Sequence, residues 1–197
     1  MMVFRALVLV LVTAALTFPA EAAVGTYHYG LFVGDSITGG YYADRYSDIY
    51  AVRVADGLSI ASVKLNNSAS HCRSSKIGSS TNTDFTVVEI GTDCGWMTAD
   101  QFTSFYDDLL LKLPPGTRIV CLGIWKARSS RSVYDPIIES SCAAHSGAFA
   151  SLGAIYDDPN MHVQVGQATP WGVSADTFHP NSAGHAAIAQ AVGSVAA

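Results

Sequence analysis

The feature that most constrains this chain is a strand that breaks into glycine. Tyr29 to Val33 is an apolar run. Gly34-Asp35-Ser36-Ile37-Thr38 follows it at once, then Gly39 and Gly40. A short apolar run bounded by such breakers reads as a buried strand ending in a tight turn. Further strands are predicted at Ser62–Leu65, Phe85–Ile90, Arg118–Ile124 and His162–Val165. Helical spacing lies between them. Ser47–Leu58 puts Ile49, Val52, Ala55 and Leu58 at three-residue steps. Thr98–Leu113 gathers Phe102, Phe105, Tyr106, Leu109 and Leu110 on one face before Pro114-Pro115-Gly116 stops it. Pro136–Leu152 and Asn181–Val195 read as two more helices. Strands alternating with helices predict an α/β fold, a parallel sheet covered on both faces. The longest irregular stretch, Ser68–Asp84, reads as a site loop or as hiding a short helix.

A serine just past a central strand sits where open α/β sheets hold their ligands. A bare serine is a poor nucleophile and needs a base, itself held by a third group. Asp176-Thr177-Phe178-His179-Pro180-Asn181 supplies an acid and a histidine three residues apart, ahead of the last predicted helix. Ser36, Asp176 and His179 then form a Ser-His-Asp set in the chain order Ser, Asp, His. The plain alternative is a turn serine and a helix-capping aspartate.

Gly34-Asp35-Ser36 at one end, with Asp176-x-x-His179-Pro180 at the other, resembles the GDSL/SGNH hydrolase family. The resemblance covers the mature chain. It implies a flavodoxin-like three-layer α/β/α sandwich with a five-stranded parallel sheet. It also implies a carboxylic ester hydrolase that uses neither metal nor organic cofactor. The expected substrate is a small acyl ester, such as an O-acetyl group on a glycan. A lysophospholipase or thioesterase is the enzymatic alternative, and a catalytically silent glycan-binding protein on the same fold is the non-enzymatic one.

The resemblance also implies three oxyanion donors, and here the chain departs from the pattern. Ser36 supplies its own backbone N–H. Asn66-Asn67-Ser68 resembles the family's Asn-x-Gly, with Ser68 in the glycine's place. Gly91-Thr92-Asp93-Cys94 resembles Gly-x-Asn-Asp, with Asp93 at the position of the donating Asn. An ionised carboxylate accepts hydrogen bonds and cannot donate one. At about 4 Å from an oxyanion it would cost about 4 kcal/mol at an effective dielectric near 20. Asp93 is therefore protonated, turned away, a sign of lost catalysis, or a cap on its own loop.

The chain has 197 residues, 49% of them hydrophobic, enough for one core and one domain. Residues 1–22 read as a cleavable signal peptide. Arg5 gives a positive start, Ala6–Leu16 is too short to span a bilayer comfortably, and Ala20-Glu21-Ala22 offers small residues at the cleavage point. Residues 23–197 then form the catalytic domain of a secreted or periplasmic protein, expected monomeric and without a stable membrane anchor. The whole chain carries 11 basic and 16 acidic residues, a net charge of −5, with no basic stripe for nucleic acid.

Cys72, Cys94, Cys121 and Cys142 are an even set in an exported chain, without the Cys-x-x-Cys spacing of metal sites. Three pairings are open. Predicted positions favour Cys72–Cys94, both just past strands at one rim, and Cys121–Cys142, in a strand and the helix after it. Trp96, Trp125 and Trp171 each follow a predicted strand and are candidates for substrate binding at that rim. Ordinary packing is the alternative for each. Tyr41 and Tyr42 fall on the same side. His28 and His162 read as structural, His71 as a polar loop residue, and His185 as a packing or capping residue. Asn66-Asn67-Ser68 is formally a glycosylation sequon. Asp157-Asp158 with Asn160 reads as a turn, because the ligand pattern of a calcium loop is absent.

Overall fold

The computed structural model describes residues 27–67, 70–72, 82–170 and 172–196. The expected signal peptide over 1–22, Ser68 and Trp171 lie outside the described residues. Five parallel strands form the main sheet: β1 (Tyr29–Gly34), β2 (Ser62–Asn66), β3 (Phe85–Glu89), β4 (Arg118–Leu122) and β5 (Ala148–Ala150). Their order is β2-β1-β3-β4-β5. The helices are α1 (Tyr50–Gly57), α2 (Ala99–Leu110), α3 (Arg128–Ala144), α4 (Gly153–Tyr156) and α5 (Ser182–Gly193). Two short strands, β6 (Ala168–Thr169) and β7 (Gly172–Val173), make a small antiparallel pair.

Strand pleating divides the core into two layers. Phe32, Val87, Val120 and Leu122 point to one face and pack with Val54 of α1 and Ile188 of α5. Leu31, Val33, Val88 and Cys121 point to the other, against Phe102 and Tyr106 of α2 and Ile138 of α3. Every residue of β3 is buried, as is β1 beyond Tyr29, so both strands are covered on both faces. This is the expected three-layer α/β/α sandwich. The chain leaves β1 toward β2 on one side and later enters β3 on the other. The order therefore reverses between β1 and β3, and a crevice opens at their carboxyl ends. Ser36 lies there.

Local chemistry accounts for the helix ends. Thr98 Oγ1 accepts from the Gln101 N–H at 3.3 Å, and Gln101 Oε1 accepts from the Thr98 N–H at 2.9 Å, a capping box that starts α2. Asn181 starts α5 by accepting from the Ala183 and Gly184 N–H groups. Both expected disulfides are present. Cys72–Cys94 joins the segments after β2 and β3, and Cys121–Cys142 ties β4 to α3. Among the described residues, no helix is long and apolar enough to cross a membrane.

Two expected elements differ. The fifth strand is Ala148–Ala150, whereas 162–165 makes only a single antiparallel bridge, His162 to Pro180. Three residues ending in alanine carry too little periodicity to stand out. The helix expected at Pro136–Leu152 runs instead over Arg128–Ala144, with Pro136 inside it. Tertiary contacts override the proline. Arg131 is buried and donates to the Gly153 carbonyl at 2.7 Å and to Asp157 at 2.7 Å. Asp135 accepts from the Ile124 N–H at 3.0 Å, pinning the helix to the end of β4.

Candidate active site

The turn after β1 is wound tightly. The Gly39 N–H reaches the Asp35 carbonyl at 2.9 Å, and the Tyr41 N–H reaches that of Ser36 at 3.1 Å. Asp35 Oδ1 accepts from the Ile37 N–H at 3.0 Å, closing an Asx turn around Ser36. Ser36 is left half-exposed at the rim.

The segment carrying Asp176 and His179 is gripped from behind. The Val163 N–H donates to the His179 carbonyl at 2.9 Å, and the Asn181 N–H to that of Met161 at 3.0 Å. The Phe178 carbonyl accepts from Trp125 Nε1 at 2.6 Å and faces His162 Nδ1 at 3.0 Å. The result brings the three expected residues together. Ser36 Oγ lies 3.0 Å from His179 Nε2, and His179 Nδ1 lies 3.2 Å from Asp176 Oδ2. Asp176 Oδ1 accepts from the Phe178 and His179 N–H groups at 3.0 and 3.4 Å. Partial burial pushes this carboxyl up. Those N–H groups and the imidazole outweigh it, so Asp176 stays below the usual carboxylate range.

The other expected site residues divide. Asp93 lines the same cavity as Ser36 and His179, a cleft of about 480 Å³ that also includes Tyr41, His71 and Lys126. Trp125 does not line it. The ring is fully buried, edge-on to Tyr156, and its N–H holds the base-bearing loop. Trp96 is exposed and does not line the cleft either. It donates Nε1 to the His71 carbonyl at 3.2 Å. Trp125 thus takes the packing alternative, and Trp96 braces the loop that carries His71: a position just past a strand can face the core or brace a loop as readily as the rim.

Residues outside the expected triad also shape the site. Tyr41 and Tyr42 bring their rings to 5.7 and 5.2 Å from the His179 ring. His185 is buried between α1 and the nucleophile turn. Its Nδ1 accepts from the Tyr50 N–H at 3.4 Å, which leaves Nε2–H to donate to the Tyr41 carbonyl at 3.3 Å. Burial lowers its pKa to about 4, so the ring is neutral and structural.

Beneath the turn, Glu89 joins three loops. Its Oε2 accepts from Thr38 Oγ1 at 3.0 Å and from the Asp35 N–H at 3.4 Å. Its Oε1 accepts from Thr92 Oγ1 at 3.4 Å. Thr92 Oγ1 in turn accepts from the Trp125 N–H at 3.0 Å. Burial, then the neighbouring Asp35, pushes Glu89 well above the carboxylate range. Burial also raises Asp35 to about 6, against the Ile37 N–H. Burial therefore favours the protonated form of Glu89.

Folded Glu89 and Asp35 thus hold protons that the unfolded chain loses above about pH 4. Stability accordingly declines as pH rises from there. Glu89→Gln keeps a donor and an acceptor without an ionisable group. Its melting temperature should fall less with pH than the wild type's, with a gain on the order of a few degrees at mildly alkaline pH. Parallel slopes in thermal melts across pH would contradict this.

No protein-family model matches the chain, and no curated protein matches it in sequence. Solved structures match it in fold. LAE5, an α/β hydrolase enzyme from the metagenome of Lake Arreo, Spain, superposes with a TM-score of 0.60 at 17% identity, over 86% of this chain and 94% of its own. A variant of Axe2, an acetyl xylan esterase from Geobacillus stearothermophilus, gives 0.59 at 15% identity, over 86% and 94%. A member of the lipolytic protein G-D-S-L family from Veillonella parvula gives 0.58 at 16% identity, over 85% and 97%. The chain therefore has the three-layer α/β fold on which these hydrolases are built.

Proposed function

We propose that the protein is an exported serine ester hydrolase acting on small acyl esters. The observation that carries this is the unbroken line from Ser36 Oγ to His179 Nε2 at 3.0 Å and from His179 Nδ1 to Asp176 at 3.2 Å. Asp176 accepts the Nδ1 proton and so holds the tautomer whose Nε2 is a free base. Ser36 Oγ attacks the ester carbonyl as its proton passes to His179 Nε2. That proton then goes to the departing alcohol, leaving an acyl-serine. A water, deprotonated by the same nitrogen, releases the acid. The Ser36 N–H stabilises the tetrahedral oxyanion, with Ser68 as the proposed second donor. Two disulfides support export to an oxidising compartment.

The acetyl xylan esterase among the structures of like fold supports an acetyl group on a glycan as the first candidate substrate. One observation favours a second reading. An apolar cavity of about 390 Å³ lies against the nucleophile turn, lined by Ala43, Ile49, Leu65 and Pro170. Gly39 lines both this cavity and the catalytic cleft. A longer acyl chain passing Gly39 would bury its methylenes there, each worth about 0.8 kcal/mol.

A series of p-nitrophenyl esters from acetate to decanoate tests both readings. Hydrolysis of any of them supports the esterase. A rate that rises beyond butyrate assigns the cavity to the acyl chain, and one that falls from acetate onward favours the glycan acetyl ester. If the cavity is used, Leu65→Phe narrows it and should cut the octanoate-to-acetate ratio about tenfold, through the lost burial. No hydrolysis across the series, by folded protein, would contradict the proposal.

A further inference from the structure

The resembled family points a neutral carboxamide at the oxyanion where this chain has Asp93. That carboxylate does not stand alone. His71 Nε2 lies 3.8 Å from Asp93 Oδ2, and both side chains line the cleft that holds Ser36 and His179. The backbone that presents His71 is unusual. His71 and Cys72 are consecutive non-glycine residues in the left-handed region, at φ 59° and 52°. Such a conformation persists only where surrounding structure over-determines it. Here Cys72 is bonded to Cys94, the residue directly after Asp93. Trp96 Nε1 holds the His71 carbonyl at 3.2 Å. The disulfide and the indole thus fix the imidazole and the carboxylate against each other from both loops.

We propose that His71 is the charge partner that allows Asp93 to stand in the wall of the oxyanion site. The proposal rests on the serine esterase reading. A lone carboxylate there would repel the tetrahedral intermediate. A positive charge on His71, 3.8 Å from Asp93 Oδ2, offsets that repulsion. His71 touches no reacting atom in this arrangement and acts through the potential it sets. The other charged groups facing the cleft do not replace it. Asp35 is an acid buried under the turn. Lys126 Nζ stands over the Phe178 ring at 4.5 Å, and His179 must be neutral to act as base.

Four variants test this, assayed with p-nitrophenyl acetate at one pH near neutral. Fluorophosphonate labelling rates are measured in parallel. His71→Gln should lose activity about tenfold or more, since it leaves Asp93 uncompensated. Asp93→Asn removes the repulsion, so it should retain activity. The double variant should recover to the Asp93→Asn level. His71→Lys should keep the rate, because an ammonium restores the charge that glutamine removes. A merely structural His71 predicts otherwise: Asp93→Asn would not rescue His71→Gln, and His71→Lys would fall as far as His71→Gln. Either result, or a His71→Gln enzyme as active as the wild type, overturns the proposal. A folded wild type that neither hydrolyses nor labels overturns the esterase reading instead.

Discussion

Ser36→Ala is expected to bring ester hydrolysis down on the order of 10⁴-fold or more while leaving the fold intact. The Ser36 hydroxyl has one side-chain partner among the described residues, His179 Nε2, and sits half-exposed at the rim. Its loss removes the bond-forming atom and almost no packing, so stability should change by less than about 1 kcal/mol. His179→Ala should fall nearly as far, because an unassisted hydroxyl is a weak nucleophile. Asp176→Asn should follow with a loss about as large, since the carboxamide can hold the ring in the wrong tautomer. Turnover that survives in purified Ser36→Ala protein would remove the nucleophile assignment.

The second large effect is expected from one methyl group. Gly34 closes β1, and a Cβ there would overlap Thr38 Oγ1 and stand 2.8 Å from Glu89 Oε2. Thr38 cannot simply move aside, because its hydroxyl meets Tyr50 Oη at 2.8 Å and Glu89 Oε2 at 3.0 Å. Gly34→Ala should therefore push the turn away from β3 and break the buried Thr38–Glu89–Thr92 link. Overpacking of this kind costs about 1–3 kcal/mol, and losing buried hydrogen bonds adds to it. Activity should fall further than stability, because Ser36 rides on that turn and a shift near 1 Å is worth about 10²-fold. Thermal melts and kcat/KM on the same preparation check the two effects. An unchanged melting temperature would show that the turn relaxes freely.

The parts of this arrangement that were legible in the sequence are those written in local chemistry. Val33 running into Gly34-Asp35-Ser36 marks a strand end and a turn, and Asp176-x-x-His179 sets an acid where it can cap the backbone and hold the ring. The cysteine pairing, one of three open, is favoured by the expected strand and helix positions and is the one present. What escaped depends on long-range packing. Ala148–Ala150 is a strand because β4 is beside it, not through any pattern of its own. The sequence suggests a strand at His162–Val165, of which only the start pairs, through residues 161–163. It does align backbone with 179–181, but as a brace for the histidine rather than as part of the sheet. Trp125 sits just past a strand as expected, yet its ring turns inward and supports Phe178. His71 reads as a polar loop residue on its own; only the expected Cys72–Cys94 bond, one residue on from His71 and from Asp93, links the two.

The most direct measurement is intact-protein mass spectrometry after treatment with a fluorophosphonate, which captures only a serine that a nearby base has activated. The account predicts a single adduct, mapped to Ser36 by peptide digestion. It should be absent from His179→Ala. A folded, disulfide-intact protein that takes up no label, or takes it up at another residue, would contradict the central claim.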